Sequence, residues 1–255
     1  MGSFAYVLLP LLVQTGPRLA TFDVDGVTRQ AHVYAPTKAI PKEGAPVVFG
    51  FHGHGGNMRN AARSFEMHVH WPEAIVVYPQ GLPTKTPNDP DGRRPGWQII
   101  PSQDGRRDLK FFDATLAWLK KNYQVDDSRI YSMGHSNGGR FTYVLWAARP
   151  DVFAAYGPSA SPATSLINQM EPRPAFILAG ERDKIVSFES QLNSINALKE
   201  KYGCPEKPVS KKGHLEVFKG STGVELATYI YPGTHAYAKE ANPLMVDFFK
   251  RHRKS

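Results

Sequence analysis

Two kinds of apolar pattern alternate along the chain. One is short and rich in Val, Ile, Phe and Tyr. The other is longer, with apolar residues three and four positions apart. "LATFDVDG" and "TRQAHVYAP" are of the first kind. Asp25-Gly26 joins them, a tight-turn pair, so a β-hairpin is predicted. "PVVFGFHG" (46–53), "AIVVYPQG" (74–81), "SRIYSMG" (128–134), "VFAAYGPSA" (152–160), "PAFILAG" (174–180) and "VELATYIYPG" (224–233) bring the expected strands to about eight.

Helical spacing fills the gaps. In "DLKFFDATLAWLKKNY" (108–123), Leu109, Phe112, Leu116 and Leu119 share one face, with Asp108 read as the N-cap. "GGRFTYVLWAAR" follows Ser136. "SFESQLNSINALKEKYG" begins at Ser187, a second cap, with Glu189 in the first turn where the helix dipole favours negative charge. "NPLMVDFFKRHRKS" closes the chain. Strands alternating with helices after an opening hairpin predict an α/β fold: a mainly parallel sheet with helices on both faces.

Two stretches break the rhythm. Residues 82–107, "LPTKTPNDPDGRRPGWQIIPSQDGRR", are rich in Pro, Gly and charge and too long for an ordinary connector. Such excursions often line binding sites. "FAYVLLPLLV" (4–13) has the length of a secretion signal's apolar block and is too short to span a bilayer, but no Lys or Arg precedes it. Residues 1–17 are therefore read as a signal remnant or an apolar arm, and 18–255 as one catalytic domain.

Composition changes this picture little. The 255 residues are 41% apolar and 21% charged, ordinary for a chain that can bury a large core. The net charge of +8 is scattered and not interleaved with aromatics on a repeating face, which argues against nucleic acid as a partner. The lone Cys204 permits no intrachain disulfide and is read as structural.

The chemistry gathers in glycine-rich turns. "GHSNG" (134–138) fits G-x-S-x-G, in which a serine sits on a strained strand-to-helix turn with its hydroxyl exposed. A phosphate-binding loop would need Gly-Lys-Ser/Thr, which is absent. A nucleophilic Ser136 needs a base and an orienting carboxylate. Asp183 lies just past the strand 174–180 and His235 just past 224–233, in the chain order Ser, Asp, His of a nucleophile-elbow fold. Glu181, His214, His252 and His32 are weaker rivals. The His135 ring, beside the serine, should turn away from its hydroxyl. Two oxyanion donors are expected: the N–H of Asn137 and that of His54 in "FHGHGGN". No carboxylate or cysteine pattern completes a metal site around His52 and His54 or His68 and His70, so no metal is expected.

These motifs, with "WQ", "DLKFFDATLAWL", "AGERDKIV" and "GTHAY", resemble the polyhydroxybutyrate depolymerase and feruloyl/acetylxylan esterase group of the α/β-hydrolases. The resemblance spans residue 18 to the C-terminus. It implies a Ser136–His235–Asp183 triad, no cofactor, and hydrolysis of small or oligomeric esters: hydroxyalkanoate oligomers, or feruloyl and acetyl esters of polysaccharides. It also implies secretion or a periplasmic home, a cytoplasmic one being the alternative. Many relatives carry disulfides, which this chain cannot form internally. Trp97 is read either as an aromatic wall for an acyl or aryl group or as a loop anchor packed on the core, His135 as a second substrate contact, and the arginines of 82–107 could meet a substrate carboxylate. A serine peptidase of the same fold and a non-catalytic binding protein remain the other readings.

Overall fold

The computed structural model describes residues 16–254, so the apolar block at 4–13 lies outside the described residues. The predicted hairpin is present. β1 (Arg18–Val24) and β2 (Val27–Tyr34) pair antiparallel about Asp25 and Gly26, both at positive φ. β1 buries only Ala20, Phe22 and Val24, every second residue, as a strand with one face on the core must. β3 (Ala45–Phe51) buries all its residues. After it come α1 (Met58–Phe65), α2 (Met67–His70) and β4 (Ile75–Pro79), which is also wholly buried.

Within the long excursion, β5 (Leu82–Pro83) pairs with β6 (Pro95–Gly96) as a short separate ribbon. Then follow α3 (Arg107–Asn122), β7 (Val125–His135), α4 (Asn137–Ala148), β8 (Ala155–Ser159), β9 (Ala175–Gly180) and α5 (Phe188–Tyr202). The last elements are β10 (Ser210–Lys212), β11 (Leu215–Lys219), β12 (Glu225–Tyr231) and α6 (Asn242–Arg251).

Ten strands form the main sheet, in the order β1-β2-β4-β3-β7-β8-β9-β12-β11-β10. The six from β4 to β12 run parallel, and an antiparallel hairpin closes each edge. Alternation along the strands divides the core in two. On β3, Val47, Phe49 and Phe51 pack with α3, α4 and α5, while Val48 packs with α1, α2 and α6. This is an α/β-hydrolase fold with helices on both faces, as expected. The expectation of eight strands is two short, because β10 and β11 extend the sheet. The residues of β10 are all exposed, so "SKK" carries no apolar alternation to reveal it.

Two helix starts were predicted, and they turn out differently. Ser187 caps α5, its Oγ accepting from the Ser190 N–H at 3.3 Å. Asp108 does not cap α3. It lies inside the first turn, fully buried, and its carboxylate accepts from Arg29 at 2.8 Å and from the Gln98 N–H at 2.9 Å. The Gln98 side-chain oxygen instead accepts from the Asp108 and Leu109 N–H groups, at 3.1 and 3.3 Å. Tertiary partners outweigh the local preference of Asp108 because Arg29, 2% exposed, needs a counter-charge.

Asp108→Ala would leave the Arg29 guanidinium buried and unpaired. It is expected to lower unfolding free energy by about 3–5 kcal/mol in urea titrations, whereas an Arg29→Met/Asp108→Leu double variant should lose much less.

Candidate active site

β7 ends at His135 and the chain turns at once into α4. Ser136, at the turn, has φ 56° and ψ −121°, a conformation that costs a non-glycine residue roughly 1–3 kcal/mol. Its surroundings over-determine it: the Ser136 N–H donates to Ser159 O at 2.8 Å, and its C=O accepts from the Arg140 N–H at 2.9 Å. Two flanking glycines are demanded by close approach. A Cβ on Gly134 would lie 2.3 Å from Gly138 O, and one on Gly138 would lie 2.0 Å from Phe51 O.

The structure brings Ser136, His235 and Asp183 together. His235, in the loop after β12, places Nε2 2.9 Å from Ser136 Oγ and Nδ1 2.8 Å from Asp183 Oδ2. With the Asp183 carboxylate at Nδ1, the proton belongs there, and Nε2 is left to accept from the serine hydroxyl. Asp183, in the loop after β9, is 5% exposed. Burial alone would raise its pKa. The hydrogen bonds from His235, Val186 N–H and Ile185 N–H outweigh that and hold it below the usual carboxylate value. Gln191 adds a fourth donor at 3.0 Å. The sequence offered a signal for Gln191: it stands on the buried stripe of α5 with Ile195 and Leu198, where a polar side chain needs a partner.

His54 and Asn137 border the same opening. Their residues, with Ser136, line a cleft of about 480 Å³ whose walls include Ile99, Arg140 and Val186. The His54 N–H has no acceptor among the described residues, and Asn137 opens α4, where an N–H finds no carbonyl a turn earlier in its helix. The excursion 82–107 reaches this cleft through Thr86, Asn88 and Ile99.

Trp97 does not line it, which rules out the aromatic wall and leaves the loop anchor of its two readings. Its side chain is fully buried, edge-on to Phe51 and stacked on Phe141, and its indole N–H donates to His52 O at 2.9 Å. Trp97 is an anchor: its backbone N–H and C=O both bond the Asn137 side-chain amide, at 2.7 and 3.0 Å. Three of the excursion's four arginines are likewise engaged. Arg93 pairs with Asp91, Arg94 with Asp89 and Arg107 with Asp104. His135 sits 5.0 Å from the His235 ring and faces a separate cavity of about 190 Å³, shared with His52, Phe65 and Tyr237. Among the rivals, Glu181 and His214 are exposed and stand apart from Ser136. His68, in α2, stacks on Tyr34, and no three His, Cys, Asp or Glu side chains group as metal ligands among the described residues.

A sequence profile described as the dienelactone hydrolase family matches residues 31–252. The chain belongs to the dienelactone hydrolase family. Its residues 31–252 thus place it among carboxylic ester hydrolases. It is 24% identical over 196 residues to a bifunctional acetylxylan esterase/xylanase of Neocallimastix patriciarum, covering 74% of this chain but only 26% of that protein. It is 27% identical over 215 residues to a probable feruloyl esterase C of Aspergillus oryzae, covering 79% and 74%. An acetyl xylan esterase structure from Aspergillus awamori has a similar fold, with a TM-score of 0.62 and 14% identity over 91% of this chain and 99% of its own. Among the described residues no helix is long and apolar enough to cross a membrane.

In this dienelactone hydrolase-family chain the loop carrying His54 leans on a buried neutral imidazole. His52, 2% exposed, lies with Nδ1 2.8 Å from Gly53 O and Nε2 accepting from the Gly81 N–H at 3.0 Å. Burial pulls its pKa from 6.5 to about 4, and burial does the same to His135. Because the folded pKa is depressed, this stability is complete above about pH 6.5 and is lost as pH falls towards about 4. Urea titrations between pH 7 and 4 should show that decline, up to about 3 kcal/mol from His52 alone, and His52→Gln should remove that share while leaving the part due to His135.

Proposed function

We propose that the protein is a serine esterase that cleaves carboxylic esters through an acyl-enzyme, with Ser136 as nucleophile, His235 as general base and acid, and Asp183 as its orienting carboxylate. The observation that carries this is the His235 ring, within hydrogen-bond reach of both Asp183 and Ser136 Oγ, with Ser136 itself lining the 480 Å³ cleft. In the first step Ser136 Oγ bonds to the ester carbonyl carbon while its proton passes to His235 Nε2. The tetrahedral oxyanion lies against the N–H groups of His54 and Asn137, where each such donor is worth roughly 3 kcal/mol. As the C–O bond to the alcohol breaks, His235 gives up its proton to the leaving oxygen. Water then attacks the acyl-enzyme, His235 takes its proton, and the acid and free Ser136 are released.

The apolar cleft wall of Pro87, Ile99, Ile185 and Val186 suits the acyl or aryl part of an ester. The named relatives favour acetyl and feruloyl esters of polysaccharides, with hydroxyalkanoate oligomers as the other ester class. Residues 18–255 are read as one catalytic unit, supported by a single sheet running from β1 to β12. The apolar block at 4–13 supports export.

A fluorophosphonate probe should label the protein at Ser136, and Ser136→Ala should abolish labelling and cut ester turnover by on the order of 10⁴ or more. Initial rates on matched acetyl, feruloyl and 3-hydroxybutyryl esters, with an equivalent peptide amide, should favour one of the esters. Full turnover by Ser136→Ala would refute the mechanism, and preference for the amide would refute the substrate class.

A further inference from the structure

The two residues assigned to the oxyanion are gripped through their side chains by the same distant segment. Asn137 is held by the backbone of Trp97. His54 is held by Asp89, whose Oδ2 lies 2.9 Å from the imidazole Nε2, with both side chains largely buried. Asp89 in turn is fixed within the excursion. Its backbone exchanges two hydrogen bonds with Thr86, at 3.0 and 3.1 Å, and its carboxylate accepts from the Arg93 and Arg94 N–H groups, at 3.3 and 2.9 Å. Hydrogen bonds from the Arg94 N–H and from His54 pull its pKa to about 2, so it is a carboxylate throughout the working range.

The loop has few other handles. Gly53, Gly55 and Gly56 surround His54 and offer no side chains. The main chain gives two ties to the excursion, from the Gly55 N–H to Pro95 O at 2.7 Å and from the Trp97 indole N–H to His52 O at 2.9 Å, neither of them at His54 itself. The imidazole Nδ1 is buried without a partner, so Asp89 supplies the ring's single hydrogen bond. On the other side Gly96 is wedged against both held side chains. A Cβ there would lie 2.5 Å from His54 Nδ1 and 2.8 Å from Asn137 Oδ1.

We propose that Asp89 is a positioning residue: by holding the His54 imidazole it fixes the direction in which the His54 N–H meets the oxyanion. The excursion 82–107 is then a brace for the oxyanion site as well as a wall of the cleft. This rests on the serine esterase reading above. A donor swung away from the oxyanion weakens binding of the transition state and leaves binding of the neutral ester nearly unchanged.

The test uses the full chain, p-nitrophenyl acetate as substrate and an aryl trifluoromethyl ketone, which adds Ser136 Oγ to give a bound alkoxide resembling the transition state. Asp89→Ala is expected to lower kcat roughly 10–100-fold with KM within about threefold, and to weaken ketone binding by the same factor as kcat. Gly96→Ala presses on the same imidazole from the opposite side and should give the same signature. It carries the test if Asp89→Ala does not fold. A wild-type protein inert to fluorophosphonate and esters overturns the esterase reading, and this proposal with it. A labelled, active wild type whose variants keep kcat and ketone affinity, or lose activity through KM alone, overturns the proposal and leaves the esterase reading standing.

Discussion

The backbone of α4 begins almost in contact with the end of β3, and the site is built outward from that approach. There is no room for a side chain between Gly138 and Phe51 O. Only because the two segments touch can Ser136 turn outward between the loop after β3 and the first turn of α4. The same approach sets His54 and Asn137 on either side of one cleft. The strain at Ser136 is held in place by ordinary ladder-like hydrogen bonds to Ser159 and Arg140, which belong to the neighbouring strand and helix.

The other residues to which we assign a part in the reaction arrive at the carboxyl ends of parallel strands. Asp183 follows β9, His235 follows β12 and His54 follows β3. The excursion 82–107 is the exception. It enters from the side and is tied down at three depths: Asp89 on His54, Trp97 on Asn137, and Gln98 on the start of α3. The buried Arg29–Asp108 pair lies beneath the last of these, so the hairpin at one edge of the sheet and the site are joined through a single chain of polar contacts.

Much of this was legible in the sequence because burial writes plainly. β3, β4 and β9 are apolar throughout because both their faces are covered, and their places in the loops just past two strands favoured Asp183 and His235 over their rivals. What was illegible depends on partners far away in the chain. Asp108 looks like a cap until Arg29 is placed 79 residues away beside it. Trp97 reads as readily as a binding aromatic as an anchor, because a tryptophan in a polar loop gives no sign of the Phe51 and Phe141 rings that enclose it. The strand β10 is short, polar and one-sided, and shows nothing that distinguishes it from a loop.

That last strand has a consequence for how the molecule behaves beside its own copies. A ten-stranded sheet ends in unpaired backbone groups, and an open edge of that kind can template the addition of another chain. Here the terminal strand is three residues long and carries Lys211 and Lys212, both exposed. An incoming strand would find a short register and the Lys212 charge, with Lys211 paired to Glu216 on the strand behind it. The polarity that hid β10 from a reading of the sequence also shields the sheet from growing.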